Sequence, residues 1–185
     1  MQRFDSNAKH MAVTNASSRF MSFWHTLSTV AHLLALVLWL GGMTFFLVVF
    51  GPAIHELKPG PGIRALNQGR MALEALSWAG IALVMITGMA NLILRNQISG
   101  GKLGQHYMII LSIKIVVFIA MLVHHSLQVF KYGPKIVALT AQVSTETSSW
   151  PEPLRSQWQK WFMLLKVNAS LGPLATLLGL ALIKG

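Results

Sequence analysis

Two histidines and a tryptophan are spaced seven residues apart in the longest apolar stretch of the chain. The stretch covers residues 22–50 and contains His25, His32 and Trp39. At 3.6 residues per turn, this spacing departs by about 20° from a straight stripe, so the three side chains would project from one helix face. Ionisable groups at membrane depth are costly and need a partner. Such an imidazole makes an ordinary hydrogen bond, relays protons, or binds a metal or haem iron.

A second group of ionisable residues lies in the apolar stretch that begins near residue 106. Lys114, Phe118, Met121 and His125 follow one another at intervals of four, three and four, which places them on one helix face, with His124 about 100° away. His125 is therefore the histidine that we expect to point inward. Lys114 either extends to the membrane surface or is a cation held for a carboxylate, such as a haem propionate, or a proton donor.

Counting residues gives the depth of these groups in the bilayer. If helices 1 and 3 run in the same direction from positions 23 and 107, His32 lies about 13 Å deep and Lys114 about 10 Å deep, at one level. His25 lies near the starting surface. His124 and His125 lie about 26 Å deep, level with the Gly41-Gly42 pair, which would leave room for a flat ligand.

The composition indicates an integral membrane protein of one domain. The 185 residues are 54% hydrophobic and only 11% charged, which is too little polar surface for a soluble domain of this size. The absence of cysteine excludes disulfides, thiolate metal sites, iron–sulfur clusters and covalently attached haem. The net charge is +10, and most of the basic residues that produce it lie in loops and flanks, where they would meet lipid phosphates. We therefore expect no nucleic-acid partner.

The apolar stretches predict an all-α, polytopic bundle of four transmembrane helices. We expect a polar N-terminal tail over residues 1–21, without a cleaved signal peptide, and a transmembrane domain over 22–185. The first helix should end at Gly51-Pro52, and Arg70 should pair with Glu74 at the membrane surface.

Residues 131–153 form the longest connection, in which 136–143 either extend helix 3 or lie in the interface. Six basic residues lie on one side of the predicted membrane domain and seven on the other, so the positive-inside rule does not decide its orientation in the membrane. The predicted spans are 22–50, 66–95, 106–130 and 155–183.

Methionines offer a second metal chemistry, because thioethers suit Cu(I). Met85 and Met89 lie four residues apart in the second span. Such a pair is also typical of plain helix packing. Copper uptake or resistance is therefore an alternative to haem binding.

The run HLLALVLWLGG, with His32, Trp39 and the glycine pair, resembles the first helix of the copper-resistance protein D family. It is also similar to the four-helix protoporphyrinogen oxidases of the HemJ type, in which a histidine is followed seven residues later by tryptophan and then glycine. Their inward lysine, followed about ten residues later by a histidine, matches Lys114 with His124 or His125. In helix 4, Lys166 and Asn168 are similar to the basic residue and asparagine of these oxidases, with Ala169 in place of their glutamate.

The resemblance implies a bundle that binds b-type haem, with His32 and Lys114 carried over most directly. Our leading hypothesis is a haem b protein with an electron-transfer role in a bacterial inner membrane, a role compatible with a subunit of a larger redox complex. Its axial ligands are His32 or His125, with His25 and His124 as alternates, and the two depths allow two haems. The alternatives are a protoporphyrinogen oxidase that reduces quinone and uses Lys114 catalytically, a copper protein, and a structural subunit. Other membrane subunits or a homodimer are compatible partners.

Overall fold

The computed structural model describes the backbone of residues 2–184 and the side-chain surroundings of residues 19–182. The described chain is all α-helical, and four of its helical segments are long and apolar enough to cross a membrane. This confirms the predicted fold class. The segments are Arg19–His55, Pro59–Ile98, Gln105–Ala141 and Glu152–Leu182.

The helical elements are longer than the sequence predicts. They are α1 (Gln2–Phe45), α2 (Gly51–His55), α3 (Pro59–Ile98), α4 (Gln105–Ser126), α5 (Gly133–Ala141) and α6 (Glu152–Lys184), with π-helical turns at Phe46–Phe50 and Leu127–Tyr132. Helix α1 begins at Gln2, so the expected tail is helical where its backbone is described; the side chains of residues 1–18 lie outside the described part. The sequence allows residues 136–143 either to extend helix 3 or to lie in the interface. In the structure, most of them extend helix 3 through the second π-helical turn.

The expected break at Gly51-Pro52 is wrong, because a π-helical turn carries the helix through it. The backbone N–H of Gly51 donates to the carbonyl of Phe46, five residues earlier. Pro52 then falls in the first turn of α2, where a missing N–H costs little. The start of the second span at residue 66 is also wrong by seven residues, since Pro59 and Pro61 are compatible with the first turn of a helix.

Close helix contacts depend on small residues. Helices α1 and α3 form one closely packed pair, and α4 and α6 form the other, whereas α3 and α4 are packed less closely. At Gly80, a Cβ atom would lie 2.8 Å from the Cβ of Trp39, so the glycine is required for the approach of α1 to α3. The Leu40 side chain occupies the space beside Gly172 of α6. The small residue in α6 therefore allows α1 to approach it closely.

The core lies between the four spans and continues into the end of the molecule formed by α2, α5 and the start of α6. At its centre, Trp39 and Met121 are almost fully buried. Ile63, Ile136 and Leu154 extend the core toward that end. Most other apolar side chains of the spans are exposed on the outside, as expected where lipid replaces water.

Candidate functional site

His32 is held at the contact between α1 and α3. The residue is 8% exposed, and its Nδ1 atom lies 2.8 Å from Oγ1 of Thr87. The neighbouring Gly88 lies against the ring, since a Cβ atom there would be in van der Waals contact with Cε1 of His32 at 3.4 Å. One turn earlier on α1, the Ser28 hydroxyl donates to the carbonyl oxygen of Thr87 at 3.3 Å. The imidazole is thus anchored to α3 on one edge, and Ser28 adds a second polar contact between the two helices.

His125 is buried near the other end of the bundle. It is 4% exposed, and its ring lies 5.0 Å from the Trp78 ring in an edge-to-face arrangement. Its Nε2 atom is buried and has no hydrogen-bond partner among the described residues. His124 is only half-buried, and its Nδ1 atom likewise has no partner in that part of the chain.

The two buried imidazoles lie at different depths. His32 contacts α3 at Thr87 and His125 contacts it at Trp78. These positions are nine residues apart, which corresponds to about 13 Å along the helix. The two rings therefore cannot bind opposite faces of one iron while the helices are packed in this way.

Lys114 lies close to the level of His32. It is half-buried and lines a small cavity together with Val84, which is one helical turn from Thr87. A Cβ atom at Gly179 of α6 would lie 3.1 Å from its Nζ atom, so the ammonium group rests against that helix. Among the described residues, no carboxylate lies within ion-pair distance of Lys114.

The space between the helices is small. The cavity at Lys114 measures about 20 Å³, and its walls, which include Trp39, Phe118 and Met121, are apolar. Ligand pockets commonly measure about 300–1,000 Å³, so this cavity is too small for a porphyrin. The Gly41-Gly42 pair leaves no space for a flat ligand either. The side chain of Leu76 occupies the space beside Gly42, and Gly41 faces outward.

A buried polar network lies near the level of His125. Arg70, only 2% exposed, bonds to Glu74 with an N–O distance of 2.5 Å and donates twice to the side-chain oxygen of Asn67. The indole N–H of Trp161 donates to the same Glu74 oxygen at 3.1 Å. Gln128 donates in turn to the carbonyl oxygen of Trp161.

The Arg70–Glu74 pair was expected at the membrane surface, and the structure places Arg70 inside. The spacing of Asn67 and Arg70 on one helix is a sequence signal that predicts Asn67 as a further partner of Arg70. Trp161 and Gln128 come from distant parts of the chain, and no local pattern identifies them as partners.

The other metal-binding candidates are separated. The described residues contain no group of three or more His, Cys, Asp or Glu side chains that would hold a metal ion. His25 is half-buried, and Met85 and Met89 are 53% and 60% exposed on the outside of the bundle. The two methionines therefore do not line an internal copper path.

The chain matches no protein-family model, no curated protein and no solved structure.

Proposed function

We propose that the protein binds haem b in the membrane and transfers electrons, with His32 as an axial ligand of the iron. The observation that carries the proposal is a buried imidazole that is anchored through one ring nitrogen, since such anchoring is typical of metal-binding histidines. A haem iron needs only one or two protein ligands because the porphyrin supplies four nitrogens. A bare zinc or copper ion needs a larger set, which the described residues do not group together.

The residues set a condition on where the porphyrin lies. The small apolar cavity cannot hold it, so α3 and α4, the spanning helices that pack less closely, would have to move apart to receive it. Lys114, which lies near the level of His32 and has no carboxylate partner in the described part of the chain, would be the cation for a propionate. His125, about 13 Å away along α3, would serve a second haem and not the first. When bound, haem iron supplies one-electron redox chemistry.

A reduced-minus-oxidised absorbance spectrum tests the proposal. The protein is purified from membranes of cells supplied with haem precursors, and a Soret band and an α-band are expected for the wild type. His32→Ala should lose these bands, whereas His55→Ala, which changes an exposed histidine at the end of α2, should retain them. A wild-type protein without a reducible chromophore would refute haem binding. Equal spectra for His32→Ala and wild type would remove His32 as the ligand.

A second candidate is favoured by the ammonium group of Lys114, which has no carboxylate partner among the described residues. In a protoporphyrinogen oxidase that passes electrons to quinone, this cation would bind a substrate propionate or act in proton transfer. Restored haem synthesis in an oxidase-deficient strain is the expected result for the wild type, and Lys114→Ala should abolish it. Lys160→Ala is the matched control, because Lys160 is exposed on the outside of α6. Full complementation by Lys114→Ala would exclude Lys114 from the reaction.

A further inference from the structure

We infer that Thr87 is a positioning residue that holds His32 as the tautomer protonated on Nδ1, so that Nε2 presents its lone pair. The functional meaning of this inference rests on the proposed function, but the tautomer itself can be measured without haem. The sequence shows no sign of this contact, because His32 and Thr87 are 55 residues apart.

The direction of the hydrogen bond follows from the number of protons available. A threonine hydroxyl has one proton to donate and two lone pairs. Oγ1 of Thr87 lies 2.5 Å from the carbonyl oxygen of Leu83 and 3.4 Å from that of Val84. Carbonyl oxygens only accept, so the short contact with Leu83 uses the hydroxyl proton.

The contact with His32 therefore needs a proton from the ring. With the hydroxyl proton committed to Leu83, Oγ1 can only accept at 2.8 Å from Nδ1, and the N–H of His32 donates. A neutral imidazole has one protonated nitrogen, which leaves Nε2 as the nitrogen with a free lone pair. Gly88 lies beside the ring, since a Cβ atom at its position would be in van der Waals contact with Cε1.

Such an arrangement has a known chemical effect on ligands. A metal-binding histidine that donates its other N–H has a fixed ring orientation and a more basic ligand nitrogen. Loss of a partner of this kind lowers metal affinity by about 10–100-fold. Thr87 would thus act on haem through His32, without touching it.

Nitrogen NMR of histidine-labelled protein in micelles tests the tautomer directly. At mildly alkaline pH, where the imidazole is neutral, the His32 signals, identified by their absence in His32→Ala, should show a protonated Nδ1 and an unprotonated Nε2. Thr87→Val should give a mixture of tautomers, and Thr87→Ser should restore the single form. Thr44→Val is the matched control, because the Thr44 hydroxyl makes the same bond to the carbonyl four residues earlier but is exposed. A protonated Nε2 in the wild type, or no change in Thr87→Val, would overturn the inference.

Haem titration adds the functional measurement. Thr87→Val should bind haem about 10–100-fold more weakly than wild type, and Thr87→Ser should bind with nearly unchanged affinity. If the predicted tautomer is found but the wild type binds no haem, the proposed function fails and the positioning of His32 stands. If haem binds through His32 and Thr87→Val changes neither tautomer nor affinity, the positioning role fails and the proposed function stands.

Discussion

Removal of the Glu74 carboxylate is expected to destabilise the bundle by about 3–5 kcal/mol. Arg70 is only 2% exposed, so water cannot replace the lost counter-charge when Glu74 becomes alanine. The Trp161 indole N–H, 3.1 Å from the same carboxylate oxygen, also loses its acceptor. A lost hydrogen bond of this kind costs about 0.5–1.5 kcal/mol, which favours the upper part of the range. Replacing both charges, as in Arg70→Met with Glu74→Leu, should recover most of the loss because no unpaired charge remains.

The assay is unfolding by SDS in mixed micelles, followed by the helical circular dichroism signal. The control is Glu152→Ala, which removes the partner of Arg155 from a pair 3.7 Å apart with side chains that are 60% and 81% exposed. Exposed pairs of this type contribute about 0.2–1 kcal/mol. The reasoning would be refuted if Glu74→Ala lost no more stability than Glu152→Ala, or if the double replacement were less stable than Glu74→Ala alone.

Two further predictions concern glycines and methionines. Gly80→Ala should destabilise the protein by about 1–3 kcal/mol, because the added methyl group meets Trp39, whereas Gly41→Ala, with nothing within 4 Å, should be neutral or slightly stabilising in the same SDS assay. Equal effects of the two changes would contradict the close packing of α1 on α3. Replacing Met85 and Met89 together by leucine should leave copper accumulation in cells unchanged, since both side chains are exposed on the outside of the bundle. A marked fall in copper content would instead favour the copper alternative.

The apolar runs were sufficient to predict four spans, because their length and composition alone determine which segments can cross a bilayer. The ends of the helices were less predictable. A proline normally ends a helix, yet Pro52 lies inside a continuous one because the preceding π-helical turn changes which carbonyls need a donor. Pro59 and Pro61 were expected in a loop although they are equally suited to the first turn of a helix.

Counting along the helices also placed His32 and Lys114 at one depth, and in the structure they lie within about one turn of each other beside α3. The partners of these residues could not be found in this way. Thr87 approaches His32 from another helix, and Trp161 approaches Glu74 from 87 residues away. Those contacts depend on how the helices are rotated and paired, which periodicity within one helix does not specify.

The separation of the two polar regions has an electrical consequence. His32 and the Arg70–Glu74 network are divided by a layer of apolar side chains that includes Trp39, Phe118 and Met121. A membrane voltage falls mainly across such a low-dielectric layer. Full crossing of a bilayer costs about 2.3 kcal/mol per elementary charge at 100 mV. The depths of His32 and His125 differ by roughly 13 Å, and the hydrocarbon core of a bilayer is about 30 Å thick. Moving one elementary charge between these depths would then change its free energy by roughly 1 kcal/mol at 100 mV. An electron that moved between these depths would therefore be driven or opposed by the energised state of the membrane.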